Sequence, residues 1–461
     1  MLFRPHLRPT LLLAYPVMLS QLGHVLVSVC DSVMVGQTGK LPLAAVGVGV
    51  SVITLLLMLG IGLSMGAVPL VAAADSRRDF PALGRLLAAT VGLNTGAGLV
   101  LAGLSQLMPL VLPHLGQVPA VVLLAAPWVR VVGWSLLPLM VFQGFREFAE
   151  GLGLTRQAMF LSIGANLVNA LLCYVLIFGH WGAPALGLMG SAWATLVARI
   201  LMALLMAAYV LRAERLRPYR EAVRSWLRPD PATLRQLLGL GLPIGVQMML
   251  EMGAFSFSAL MVGWLGVTAL AAHQIAINVA SVTYMAASGI AAAATIRVGR
   301  LRSLGELAEA RQAGYAAYWL TFGLMSATAL LMVLLRGRLP LLYLALDRAP
   351  ADPAVVAQAA TLLLIAAAFQ ISDGLQVVGL GALRGLEDVK VPSVVALLAY
   401  WVLALPLGYG LGFGLKLGAP GVWLGLLAGL SAVAVVLLRR FRRQIAPAAA
   451  AVNESRPVVV S

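Results

Sequence analysis

Three carboxylates fall deep inside long apolar runs: Asp31, Glu251 and Asp373, out of 17 acidic residues in the chain. An ionised carboxylate in hydrocarbon costs at least ~2.5–3.5 kcal/mol on the insertion scale, so such groups face a protein interior or an aqueous cavity and mark ion or substrate pathways. A structural ion pair is the competing reading, but the basic residues within the same runs are Arg130 and Arg199, both nearer an end. Polar companions stand at helical spacing around each acid. Gln247 and Ser258 share a face with Glu251, and Gln370 and Gln376 flank Asp373 three residues to either side. Gln21, His24, Ser28 and Asp31 form one stripe, while Asn166 with Asn169 and Gln274 with Asn278 add two patches. Oxygen-rich groups around paired carboxylates suit a hard cation or a shared proton. An imidazole such as His24 or His273 titrates near neutral pH in general, although a hydrogen-bonded interior histidine is the plainer reading of both.

The elements that must position these groups follow from composition. Of 461 residues, 61% are hydrophobic and only 11% charged, against about 45–50% and about 25% in soluble domains. Apolar runs of about 20 residues read as transmembrane helices. Twelve fit the length, at roughly 10–35, 44–74, 86–112, 121–145, 158–180, 186–211, 236–264, 269–296, 310–334, 355–383, 391–413 and 419–438. The fold class is therefore an all-α membrane protein; soluble enzymes, disordered chains and disulfide-stapled secreted domains are excluded. The +15 net charge has a topological cause. Of 32 Lys and Arg residues, 25 fall on one set of alternate loops and five (Lys40, Arg336, Arg338, Arg348, Lys416) on the other. Lys/Arg excess marks cytoplasmic loops, so both termini are expected in the cytoplasm and no nucleic-acid partner is expected. Arg4 and Arg8 precede a run too long for a secretory signal, which reads as the first helix, retained. Trp128, Trp181, Trp264 and Trp401 stand near span ends as interfacial anchors. Cys30 and Cys173 lie inside spans and give no disulfide framework.

The chain also repeats itself. A shift of 227 positions lays Arg8 on Arg235, Pro16 on Pro243, Met34-Val35-Gly36 on Met261-Val262-Gly263, and Gly62 on Gly289 without a gap. Residues 1–212 and 235–440 thus read as two six-helix halves, joined by a basic cytoplasmic linker at 213–234 and followed by a disordered tail at 441–461. Six is even, so the halves share one orientation, the parallel-repeat arrangement of many secondary transporters.

Three stretches carry a specific resemblance. Asp31-Ser32-Val33-Met34-Val35-Gly36 is similar to the first-helix motif of the multidrug and toxic compound extrusion (MATE) family, NorM-type branch. Pro243-Ile244 followed by Glu251 resembles its seventh helix. Phe369-Gln370-Ile371-Ser372-Asp373, running through Gln376 to Leu383-Arg384-Gly385, resembles its tenth. The resemblance implies two six-helix lobes around a V-shaped central cavity. It implies cation coupling at Glu251 and Asp373 with Gln274 and Asn278, and an N-lobe polar site of Asp31 and Asn169, to which helical spacing adds Asn166, Gln21 and His24. The substrate cavity is expected to use Phe369, Gln370, Gln376, Gln247, Met248 and Phe255. Two positions depart from the family pattern: Cys173 stands where an Asn or Asp is usual, removing an oxygen ligand, and Phe369 stands where a Tyr is common.

The implied function is export of amphipathic organic cations, drugs among them, from a plasma (inner) membrane. Na+ is the favoured coupling ion and H+ the other choice, with no cofactor, no resident metal, a monomeric state and the lipid bilayer as surroundings. A flippase for lipid-linked oligosaccharides is the alternative, although such cavities tend to be more cationic than these spans. A major-facilitator carrier would show a basic Gly/Asp/Arg signature between spans 2 and 3, which Ala74-Asp75-Ser76-Arg77-Arg78-Asp79 lacks. An enzyme is not expected: His-Glu-x-x-His and P-loop motifs do not occur.

Overall fold

The computed structural model describes residues 4–115, 118–212, 230–346 and 352–454. Within them, the side chains of 4, 24–29, 32, 40, 115, 343–346 and 446–454 lie outside the description, His24 and Ser28 among them. Most of the linker expected at 213–234 falls outside it as well.

The described residues form helices and no strands. Twelve are long. The first is α1, Arg4–Gly36. Eleven more among the described residues are long and apolar enough to cross a membrane: α2 Leu41–Ser76, α3 Phe80–His114, α4 Pro119–Gly151, α5 Thr155–Phe178, α6 Leu188–Arg212, α7 Pro231–Gly263, α8 Val267–Ser303, α9 Leu307–Leu335, α10 Pro353–Gly385, α11 Lys390–Gly414 and α12 Ala419–Ile445. Large apolar side chains such as Leu110, Leu123, Phe160 and Leu334 remain exposed, as a lipid-facing surface requires, because hydrocarbon cannot satisfy backbone groups and only their enclosure in helices can. This is a multi-pass membrane protein. The last residues of the expected linker, from Pro231, already belong to α7, where Pro stands at a helix start that needs no N–H from it. The backbone stays helical to Glu454, past the point at 441 where a disordered tail was expected. Phe441 and Ile445, one turn apart, are fully buried, with the Phe441 ring against Tyr315 and Tyr318, and this contact carries the helix onward.

Packing divides the chain into two compact units: one comprises Met1–Met18 and Leu250–Ser461, the other Leu19–Met249. Helices α1 and α7 therefore each change unit part-way along, after Pro16 and Pro243 respectively. In the first unit, a Cβ on Gly289 of α8 would lie 2.5 Å from Met18 Cγ of α1. In the second, a Cβ on Gly62 of α2 would lie 2.5 Å from Gly245 Cα of α7. The 227-residue shift that carries Gly62 to Gly289 also carries Met18 to Gly245. One contact is thus built twice, once in each unit. Small residues allow such backbone approach, which replaces the missing hydrophobic drive between helices in lipid.

Candidate functional site

In the first unit a buried polar knot joins three helices. Glu251 of α7 accepts at one oxygen, Oε1, from the Tyr400 hydroxyl of α11 at 2.7 Å and from Gln376 Nε2 of α10 at 3.1 Å. Gln376 Nε2 also lies 2.9 Å from the Tyr400 oxygen, and Gln376 Oε1 lies 3.1 Å from it. Tyr400 has one proton, so it donates either to Glu251 or to Gln376. Gln376 is fully buried and Tyr400 nearly so. Three residues before Gln376, Asp373 is 7% exposed; its Oδ1 has no hydrogen-bond partner among the described residues, and it lies within electrostatic reach of Glu251. Gln370, on the other flank, donates from Nε2 to the Met325 carbonyl of α9 at 3.3 Å and leaves its Oε1 unpartnered. Buried polar groups are almost always paired, so the unpartnered oxygens on Asp373 and Gln370 stand out as unused acceptors.

An aromatic wall closes this knot. Phe255 meets Phe369 at 6.1 Å and Tyr400 at 5.7 Å between centroids, and Phe369 meets Trp423 at 5.3 Å, all in steeply tilted or edge-on geometry. Trp423 Nε1 donates to His273 Nδ1 at 3.1 Å, which puts the proton of the neutral ring on Nε2. Tyr400 is aimed by an irregularity in α11: residues Ala399–Ala404 and Gly410–Gly414 are wide π-helical turns. Pro406 cannot offer the N–H that a regular turn would give to Val402, and π turns recur where helices serve function. Gly421 and Gly429 of α12 accommodate the wide turns; a Cβ on them would lie 2.6 Å from Gly412 N and from Ala404 Cβ, respectively.

The second unit holds a smaller polar site. Asn169 Nδ2 of α5 donates to both oxygens of Asp31 on α1, at 3.1 and 2.9 Å. The Cys173 thiol, one turn along α5 and fully buried, hydrogen-bonds to the same carboxylate. Cysteine thus replaces an expected oxygen ligand with a weak donor. Arg199 of α6 lies within electrostatic reach of Asp31 while donating to Ser135 Oγ at 2.7 Å. Asp31 therefore has an internal cation nearby.

Two intramembrane acid sites, one in each half of a repeated helical chain, are matched by the kinship of the sequence. The MatE family model matches residues 16–175 and 243–410. The chain belongs to the MatE family. It is 34% identical over 446 residues to a probable multidrug resistance protein NorM of Rhizobium meliloti (strain 1021), covering 97% of this chain and 95% of that protein. It is 37% identical to the multidrug resistance protein NorM of Burkholderia vietnamiensis, covering 95% and 94%. The fold matches the crystal structure of the eukaryotic MATE transporter AtDTX14 with a TM-score of 0.86 at 20% identity, covering 97% and 98% of the two chains.

Other residues singled out in this MatE chain are distributed more widely. Gln274 on α8 is exposed and Asn278 half-buried; neither takes part in the hydrogen bonds to Glu251 given above. Gln247 is buried and Met248 half-buried, on the stretch of α7 that packs in the second unit. Asn166 is buried on α5, with its Nδ2 facing Gly23 of α1, and Gln21 is half-buried. Gln376, read as a substrate-cavity residue, bonds to Glu251 and Tyr400 in the knot, and Phe369 lies in the aromatic wall. Tyr400 is the contributor that sequence reasoning passed over, while Arg199, set aside there as nearer a span end, comes within electrostatic reach of Asp31. A tyrosine in an apolar span reads as packing or an interfacial anchor, and the only signal for it was the polar stripe it faces on other helices.

Proposed function

We propose that this MatE protein is a cation-coupled efflux antiporter that exports amphipathic organic cations, drugs among them, across the plasma (inner) membrane by alternating access. The observation that carries the reading is the pair on α7 and α10: half-buried Glu251, held by Tyr400 and Gln376, and buried Asp373, with an unpartnered oxygen. A coupling ion entering down its gradient neutralises this pair; an organic cation uses the same charge from the other side of the cycle, which makes the two exclusive. Sodium is the favoured ion, because two carboxylates with amide and hydroxyl oxygens around them form an oxygen-rich set suited to a hard cation; a proton is the other candidate. The protein acts as a carrier rather than an enzyme and uses no cofactor. The names of its NorM relatives support multidrug substrates, and both termini are assigned to the cytoplasm on the Lys/Arg distribution.

Efflux of a planar cationic dye from proteoliposomes, under a sodium gradient or a proton gradient imposed separately, tests this. Gradient-driven efflux with one of them is expected. Transport of a lipid-linked oligosaccharide with no dye efflux under either gradient contradicts the reading and favours a flippase.

A further inference from the structure

The wide turn of α11 grips α7 at two successive residues. Tyr400 donates to Glu251 Oε1 at 2.7 Å, and Trp401 Nε1 donates to the Leu250 carbonyl at 3.1 Å. Phe255 packs edge-on against the Tyr400 ring, and Gly253 of α7 lies close under Trp401, which a Cβ would touch at 3.5 Å. Tyr400 is therefore fixed in position, and only its hydroxyl proton is free to choose a partner. Two acceptors are in reach: Glu251 Oε1 at 2.7 Å and Gln376 Oε1 at 3.1 Å.

We infer that Tyr400 is the positioning residue of Glu251: its hydroxyl occupies the coupling cation's place while the site is empty, and turns to Gln376 when the cation arrives. The inference rests on the reading of Glu251 as a coupling carboxylate. With Glu251 ionised and empty, the Tyr400 O–H and the Gln376 N–H both point at Oε1, and the half-buried charge is satisfied by donors. A sodium ion at that oxygen is repelled by an O–H aimed at it. Rotating the hydroxyl to Gln376 Oε1 takes the donor out of the cation's way. A proton on Glu251 is accommodated by the same reversal: the new Glu251 O–H donates to the Tyr400 oxygen, and Tyr400 donates to Gln376. Taking up the proton needs no heavy atom to move. The switch also explains why α11 keeps a costly irregular turn here, since the π turn aims Tyr400 at α7 alongside Trp401.

The test uses the purified full-length protein, read by its tryptophan fluorescence, to which Trp401 of α11, bonded to the Leu250 carbonyl of α7, contributes. Wild type, Tyr400→Phe and Tyr400→Met are titrated with sodium chloride at fixed pH, and with acid in sodium-free buffer. Removing the competing donor destabilises the empty site, so the half-saturating concentration of the coupling cation should fall about tenfold, the size expected of one hydrogen bond to a charged group. Maximal dye efflux should fall at the same time, because the emptied carboxylate is less readily restored. A merely loosened fold would weaken binding and turnover together. The methionine variant also lacks a donor, so failure of one variant to fold leaves the other to decide. Half-saturation unchanged or raised in a folded variant overturns the inference. Glu251→Gln separates the two levels: if it abolishes the response while Tyr400→Phe behaves as wild type, the Tyr400 inference alone fails. If the response survives Glu251→Gln, or wild type answers neither cation, the coupling reading fails with it.

Discussion

The Asn169 amide is committed to a single carboxylate, that of Asp31, reaching both of its oxygens. Removing it leaves a part-buried charge short of its best donor, with only the Cys173 thiol and the more distant Arg199 to compensate. Asn169→Ala should lower stability by about 1.5–3 kcal/mol, the range for hydrogen bonds to charged groups, measured as thermal unfolding of the detergent-solubilised protein. Asp31→Asn, which keeps the shape and loses the charge, should leave folding intact and reduce export of some dyes more than others. Intramembrane carboxylates were legible in the sequence because their cost in hydrocarbon leaves few reasons for their presence. Their partners were legible only in part. Asn169 and Gln376 announced themselves as amides at helical spacing from other polar groups. Tyr400 did not, because its ring is at home among Phe255, Phe369 and Trp423, and nothing in a one-dimensional pattern shows which way a hydroxyl points.

At the scale of the helices, one close glycine contact is built twice. Gly62 faces Gly245, and Gly289 faces Met18, through equivalent positions of the repeat. Gly62→Val and Gly289→Val should each destabilise the protein by about 1–3 kcal/mol or more, as overpacking does. Gly92→Ala on α3, where nothing lies within 4 Å of an added Cβ, should be neutral or stabilising by up to about 1 kcal/mol. Melting temperatures of the three variants decide it; equal values would mean that these contacts do not hold the helices. The helices themselves were readable from apolar run length, and the expected span 355–383 becomes Pro353–Gly385. The π turns of α11 were not. An apolar run carries no marker of whether its turns hold four residues or five, and Pro406 alone did not distinguish a bend from a wide turn. The extension of α12 past 441 was missed because the Arg-rich stretch around Phe441 reads as solvated, while its apolar face, Phe441 and Ile445, is buried.

For the whole molecule, the asymmetry of basic loops sets the expected orientation. Cysteines introduced as Arg220→Cys and Ala450→Cys in a Cys30→Ser background should be labelled only from the cytoplasmic side, since 25 of the 32 Lys and Arg residues share it in the expected topology. Labelling of either from outside would reverse the orientation. In the proposed reading, coupling rests on Glu251 and Asp373 holding the cation together. Glu251→Gln and Asp373→Asn keep size and much of the hydrogen bonding. The amide carbonyl introduced by Glu251→Gln can still accept from Tyr400, so the fold should survive. Neither a sodium ion nor a transferable proton can then be held. The deciding measurement is ion-gradient-driven dye efflux from proteoliposomes carrying equal amounts of wild type and the Glu251→Gln/Asp373→Asn double variant. Gradient-driven efflux should be lost in the double variant; efflux at the wild-type rate, still dependent on the gradient, would contradict a coupling site at these two carboxylates.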